Sequence, residues 1–130
     1  MTGADASERA RVIRTLRDLI GFTDTAARLV ARGRANYDSD EVLRLAAEAI
    51  MHKIGEAVAR LPAEVIAEHP DVAWRSMKAA RNVVAHDYEQ MDYEILWNVL
   101  VDRMPAEAER IRAVLSPIDD TEQHGSRLQG

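Results

Sequence analysis

The sequence predicts an all-α fold: an up-and-down four-helix bundle with one short extra helix. Three observations predict it. Apolar residues recur at steps of three and four along most of the chain, the period of a helix that buries one face. Glycine and proline are sparse inside those periodic stretches. No run alternates β-branched and polar residues as a half-buried strand would.

Each element has its own signals. The first predicted helix runs from about Ser7 to Ala31, with Asp5 or Ser7 as cap. Its stripe is Val12, Leu16, Leu19, Thr23, Ala26 and Val30. Gly33 should stop it, leaving Arg34 to Tyr37 as a loop. Asp38-x-x-Glu41 reads as a capping box that starts a second helix, reaching about Leu61. Leu43, Ala47, Ile50, Ile54, Ala57 and Leu61 form its seam, a spacing suited to a near-antiparallel neighbour. Pro62 opens a short helix from Ala63 to Glu68, closed before Pro70.

The third long helix covers about Ala73 to His86, with Trp74, Met77 and Val84 on one side. The fourth begins near Asp92, a plausible cap. It carries Leu96, Val99, Leu100, Ile111, Val114 and Leu115. Pro105 should kink or split it, because proline lacks the N–H that an inner helical turn needs. From Ser116 to Gly130 no apolar period remains, so a bundle over residues 1–115 is expected to end in a disordered tail over 116–130.

A chain of 130 residues makes one domain at most, with a core small enough to gain from a partner subunit. Cysteine is absent, which excludes disulfides and thiolate metal sites. No segment has the length to span a bilayer, and the stretch Met1 to Ser7 has no apolar signal core. A cytoplasmic protein without a membrane partner is the expectation. The net charge of −5 argues against broad coating of nucleic acid. The charge is unevenly spread, however. Residues 1–37 hold seven arginines against four acids, and Val72 to His86 carries Arg75, Lys78 and Arg81 with no acid. A local phosphate site is compatible with that distribution.

Within that acid-free stretch begins Arg81-Asn82-Val83-Val84-Ala85-His86-Asp87-Tyr88, an R-x4-H-x-Y segment. Arginine grips phosphate oxygens in a fork, histidine moves protons near neutral pH, and a tyrosine hydroxyl can be modified. On an unbroken helix, residues five apart point about 140° from each other. Arg81 and His86 therefore meet only if the helix ends near His86, or if a second chain supplies the partner across a two-fold axis. A structural reading stands beside this one. His86 can cap the helix, Arg81 can pair with Asp87 or Glu89, and Tyr88 can simply pack.

Other residues compete for attention. Glu48, His52 and Glu56 fall on one helical face, as metal ligands, as support for the site or as solvated pairs. Glu56 is the one with a case for orienting Arg81 or His86. Arg9, Arg11, Arg14 and Arg17 read most simply as a solvated face, with an RNA rail or a partner contact as alternatives. His124, in the tail, has no expected role.

The segment Arg81 to Tyr88 resembles the signature of the HEPN superfamily, in particular the HepT toxins paired with minimal nucleotidyltransferases. The likeness extends to Ile54-Gly55-Glu56-Ala57, to Pro70-Asp71-Val72-Ala73-Trp74-Arg75, and to Val99–Leu115 with its Met104-Pro105. It covers about residues 8–115, in order and spacing. R-x4-H alone is a weak signal; the ordered set is a strong one.

The resemblance implies a homodimeric, metal-independent endoribonuclease that needs no cofactor, the toxin of a toxin–antitoxin pair. Arg81 and His86 are the implied catalytic pair, and Asn82 matches the polar residue after the arginine. Tyr88 matches the tyrosine that an MntA-like minimal nucleotidyltransferase, the antitoxin, adenylylates. The rival expectation from another class is a non-catalytic helical subunit that binds nucleotide or docks a nucleotidyltransferase.

Overall fold

The computed structural model describes the backbone of residues 3–85 and 92–129, and the side chains of 6–80 and 92–118. Those residues are all-helical, with no strand among them. The order is α1 (Gly3–Val30), α2 (Arg34–Ser39), α3 (Glu41–Ala59), α4 (Ala63–Glu68), α5 (Trp74–Ala85), α6 (Tyr93–Asn98), a π-helical turn (Val99–Arg103) and α7 (Met104–Gln129). α3 packs on α5 and on α1, and α1 packs on α7.

One apolar core joins them. From α1 come Val12, Ile13, Leu16, Leu19, Ala26 and Leu29; from α3 come Ala47, Ile50, Met51, Ile54, Ala57 and Val58. α7 adds Met104, Ile111, Val114 and Leu115. Leu16, Leu19, Ile54 and Ile111 are wholly buried. Each such side chain contributes about 1.5–3 kcal/mol relative to exposure. The expected stripe on α1 is therefore buried except at Val30, which is half-buried, as is Leu43 of the expected α3 seam. Thr23 sits in the stripe because its hydroxyl donates to the Ile20 carbonyl at 2.8 Å and leaves no polar group unmet.

Two expectations need correction. Arg34 to Tyr37 is not a loop but most of α2, which begins after Gly33 at a φ of 91° that glycine tolerates. Arg34 Nε donates to Asp38 Oδ1 at 2.9 Å across one turn, a pairing that a loop reading overlooks. The cap of α3 is Asp40 rather than Asp38: its side chain accepts the Val42 N–H at 2.9 Å, the geometry of a helix N-cap. The backbone of α7 extends from Met104 to Gln129, with Pro117 inside it.

Pro105 acts as expected, through a widened turn. The Met104 N–H bonds the Val99 carbonyl five residues back, so α6 and α7 are joined by a π-helical turn directly before the proline. The wider turn accommodates a ring that would clash with the carbonyl of Val101 in a regular α-turn.

Candidate functional site

α5 is the platform for the R-x4-H segment, and its start is held from two sides. The Ala73 N–H, the donor just before α5, bonds Glu107 Oε2 at 2.9 Å. Glu107 is nearly buried, and its other oxygen accepts from Arg110 Nη1 at 2.6 Å. A carboxylate here meets both an unsatisfied helix-end donor and the positive end of the helix dipole. The Trp74 indole N–H donates to the His69 carbonyl at 2.9 Å, and Trp74 and Met77 are buried. Those two mark the core side of α5. Helical geometry puts position 81 about 40° round the axis from Met77, on that side of the backbone.

The backbone of α5 is described through Ala85 and so includes Arg81 and Asn82. Their side chains, and the whole of His86 and Tyr88, lie outside the described residues. Glu56 is on α3, 43% exposed, with Oε1 4.0 Å from His52 Nε2. That separation is a loose, solvated pair rather than a tight bond. Glu48, one turn before His52, is engaged differently: its Oε2 accepts from the Tyr93 hydroxyl at 2.9 Å. The face expected from Glu48, His52 and Glu56 thus divides between two elements. Among the described residues no three His, Asp or Glu side chains converge as metal ligands.

Tyr93 is the first residue of α6, beyond residues 86–91. Asp92 caps the helix by accepting from the Glu94 and Ile95 N–H groups at 3.0 and 3.1 Å. The Tyr93 carbonyl accepts from the Tyr37 hydroxyl at 2.8 Å, and Arg44 stacks 5.6 Å from the Tyr93 ring centre. Arg44 also donates to the Tyr37 carbonyl at 3.0 Å. Tyr37 is wholly buried and packs on Trp97 with ring centres 4.8 Å apart. Burial, with the neighbouring Tyr93, pushes its hydroxyl up to about 12, so it stays a protonated donor at neutral pH.

Sequence reasoning missed three of these residues: Tyr37, Tyr93 and Glu107. Only Glu107 carried a readable signal, an acid on the stripe of Leu100, Met104, Ile111 and Val114 where an apolar residue belongs. The arginines of α1 at 9, 11, 14 and 17 are all exposed. No described helix is long and apolar enough to cross a membrane.

Described residues that are all helical, with Arg81 on a helix anchored at its start, point to the class, and comparison supplies the family. The model of the family described as "Ribonuclease HepT-like" matches residues 10–114. The chain belongs to this ribonuclease family, within the HEPN superfamily. A protein of Methanocaldococcus jannaschii named "Putative RNase" is 25% identical over 113 residues, 87% of this chain and 88% of its own. Another of that name from Caldanaerobacter subterraneus is 29% identical over 80 residues, 62% of this chain and 71% of its own. A Thermococcus cleftensis protein named "Probable ribonuclease HepT" is 32% identical over 53 residues, 41% of this chain and 48% of its own. No solved structure matches.

Proposed function

We propose that the chain is the toxin of a toxin–antitoxin pair: a cytoplasmic, metal-independent endoribonuclease that works as a homodimer of four-helix bundles. The observation that carries this reading is the family match, which spans the R-x4-H segment and the helix that bears Arg81. Arg81 and His86 are the catalytic pair, with Asn82 and Glu56 in support.

RNA carries its own nucleophile, the ribose 2′-hydroxyl. A catalyst must accept that proton, stabilise the charge on the phosphorane and protonate the leaving 5′-oxygen. His86 serves as base or acid, worth about 10²–10⁴-fold per use. Arg81 stabilises the non-bridging oxygens, an electrostatic contribution of similar or larger size. Two chains across a two-fold axis supply two imidazoles, one to take the proton and one to return it. The product is a 2′,3′-cyclic phosphate.

Tyr88 is the site at which an MntA-like minimal nucleotidyltransferase attaches AMP. The new phosphodiester is anionic and the nucleoside bulky, so charge and volume together oppose RNA near Arg81.

Expression of the chain alone tests the reading. Growth arrest is expected, and Arg81→Ala or His86→Ala should abolish it along with RNA cleavage in excess chelator. Tyr88→Phe should keep cleavage and escape silencing. Harmless wild-type expression with tight nucleotide binding would favour the non-catalytic docking subunit. Strict dependence on a divalent ion would refute the mechanism.

A further inference from the structure

A cavity of about 430 Å³ opens between α3, α5 and the π-helical turn that leads into α7, and the proposed chemistry leaves it unused. That volume suits a single small ring system with its substituents. The floor is apolar and soft. Met51 of α3, Met77 of α5 and Met104 of α7 line it, and all three are buried. Thioether side chains adapt to flat rings and make favourable contacts with them.

The π-helical turn supplies the polar rim. Asp102, Arg103 and Met104 are consecutive, and all three border the cavity. Neighbouring residues of a regular α-helix step round the axis by about 100°. A turn closed by bonds five residues long holds more residues, so each step is smaller and three in a row can share one concave wall. The other charged pair at this cavity is already engaged: Glu107 takes the Ala73 N–H on one oxygen and Arg110 on the other. Among the described residues, the side chains of Asp102 and Arg103 make neither a hydrogen bond nor an ion pair. A pair of acceptor oxygens and a cationic fork of donors thus stand side by side over an apolar floor.

That arrangement matches a flat ring with two adjacent N–H donors on one edge and an anion attached. A carboxylate only accepts, and a guanidinium grips phosphate oxygens. Among the RNA bases, guanine presents two adjacent donors, at N1 and at its exocyclic N2. Uracil presents one N–H between two carbonyl oxygens, which a carboxylate repels. The strand itself supplies the phosphate.

We propose that this cavity is a base subsite of the ribonuclease that takes one unpaired guanine of the RNA strand. The ring lies on the methionines, its N1 and N2 donors meet Asp102, and an adjoining phosphate meets Arg103. The subsite rests on the RNA-cleaving reading given above. Ala80 also borders the cavity and is bonded directly to Arg81, so their Cα atoms are about 3.8 Å apart. The cavity therefore opens beside the helical backbone that bears the motif's arginine. Reading an unstacked base by its Watson–Crick edge is a common mode of single-strand recognition.

The probe is 2′-O-methyl hexauridine with one uridine replaced by guanosine, which lacks the attacking hydroxyl and stays uncut. Added to the chain labelled with ¹³C-methyl methionine, it should shift the signals lost in Met51→Leu, Met77→Leu and Met104→Leu. Hexauridine itself should bind at least ~5-fold more weakly and shift them less. Asp102→Asn should bring the guanosine strand down to the affinity of the uridine strand. Ala106→Trp, at an exposed position on the rim, should remove the same preference at an unchanged melting temperature. A guanosine strand that fails to bind, or that binds while the methionine signals stay still, would overturn the proposal. Equal affinities for the two strands would do so too. So would guanosine 5′-monophosphate that binds as tightly as the strand, since the cavity would then belong to a free nucleotide. If the wild-type chain cuts no RNA, the cleavage reading falls, and these binding measurements still decide the subsite.

Discussion

The two anchors that flank the R-x4-H segment are built from different materials. Before the segment, α5 starts on a single buried carboxylate: Glu107 accepts the Ala73 N–H and the Arg110 guanidinium. After it, α6 starts on an aromatic cluster: Tyr37 donates to the Tyr93 carbonyl, packs on Trp97, and takes Arg44 on its own carbonyl. The first anchor is electrostatic and acts on one backbone donor. The second combines apolar burial with bonds to main-chain atoms.

Removing the aromatic anchor should cost the most. Tyr37→Ala empties a wholly buried ring site and removes the hydroxyl bond to the Tyr93 carbonyl. A loss of about 3–5 kcal/mol in unfolding free energy is expected by urea titration. A cost below about 1 kcal/mol would show that the cluster collapses around the gap and is no anchor.

The carboxylate anchor ranks second. Glu107→Ala leaves the Ala73 N–H without its acceptor and should cost about 2 kcal/mol. Glu107→Gln keeps an acceptor oxygen and should cost less than half as much. Equal losses in the two variants would mean that charge toward the α5 dipole matters more than the bond itself.

The smallest effect separates burial from bonding within the cluster. Tyr37→Phe keeps the ring and loses the hydroxyl bond, for about 1 kcal/mol at neutral pH. It should also change the alkaline limb of stability. The Tyr37 hydroxyl is raised from 10.0 to about 12, so between those values the unfolded chain has released a proton that the folded chain retains. The unfolded state then binds fewer protons, and stability falls as pH rises through that window. Tyr37→Phe should lose this part of the slope when melting is followed from pH 9 to 12. An identical slope in both chains would place the titration elsewhere.

Much of the fold was legible because helical burial writes a period into sequence. The stripe on α1, the seam on α3, the short helix after Pro62 and the cap at Asp92 all follow from local rules that the structure obeys. Pro105 announced a disturbance by its missing N–H, though not that a π-helical turn would absorb it. The short α2 was illegible because its stability is borrowed: Tyr37 is apolar enough to be buried, and what buries it is Trp97, sixty positions away. The start of α3 was misplaced by two residues because Asp38 and Asp40 offer the same capping chemistry, and only the backbone path selects between them.

The motif itself was legible: R-x4-H-x-Y at Arg81 to Tyr88 lies within the stretch that the family model matches. Its supports were not. Glu48 and Glu56 share one helical face in sequence, yet the Glu48 carboxylate takes the hydroxyl of Tyr93, a partner on another helix. By itself the sequence determined the long helices, their apolar faces and the chemical identity of the motif, since these depend on residue type and spacing along a single chain. Tertiary structure alone decided which carboxylates hold the two ends of the motif-bearing stretch. Such partners lie 34 and 45 positions apart, and a hydrogen bond across that distance exists only after the core has brought the helices together.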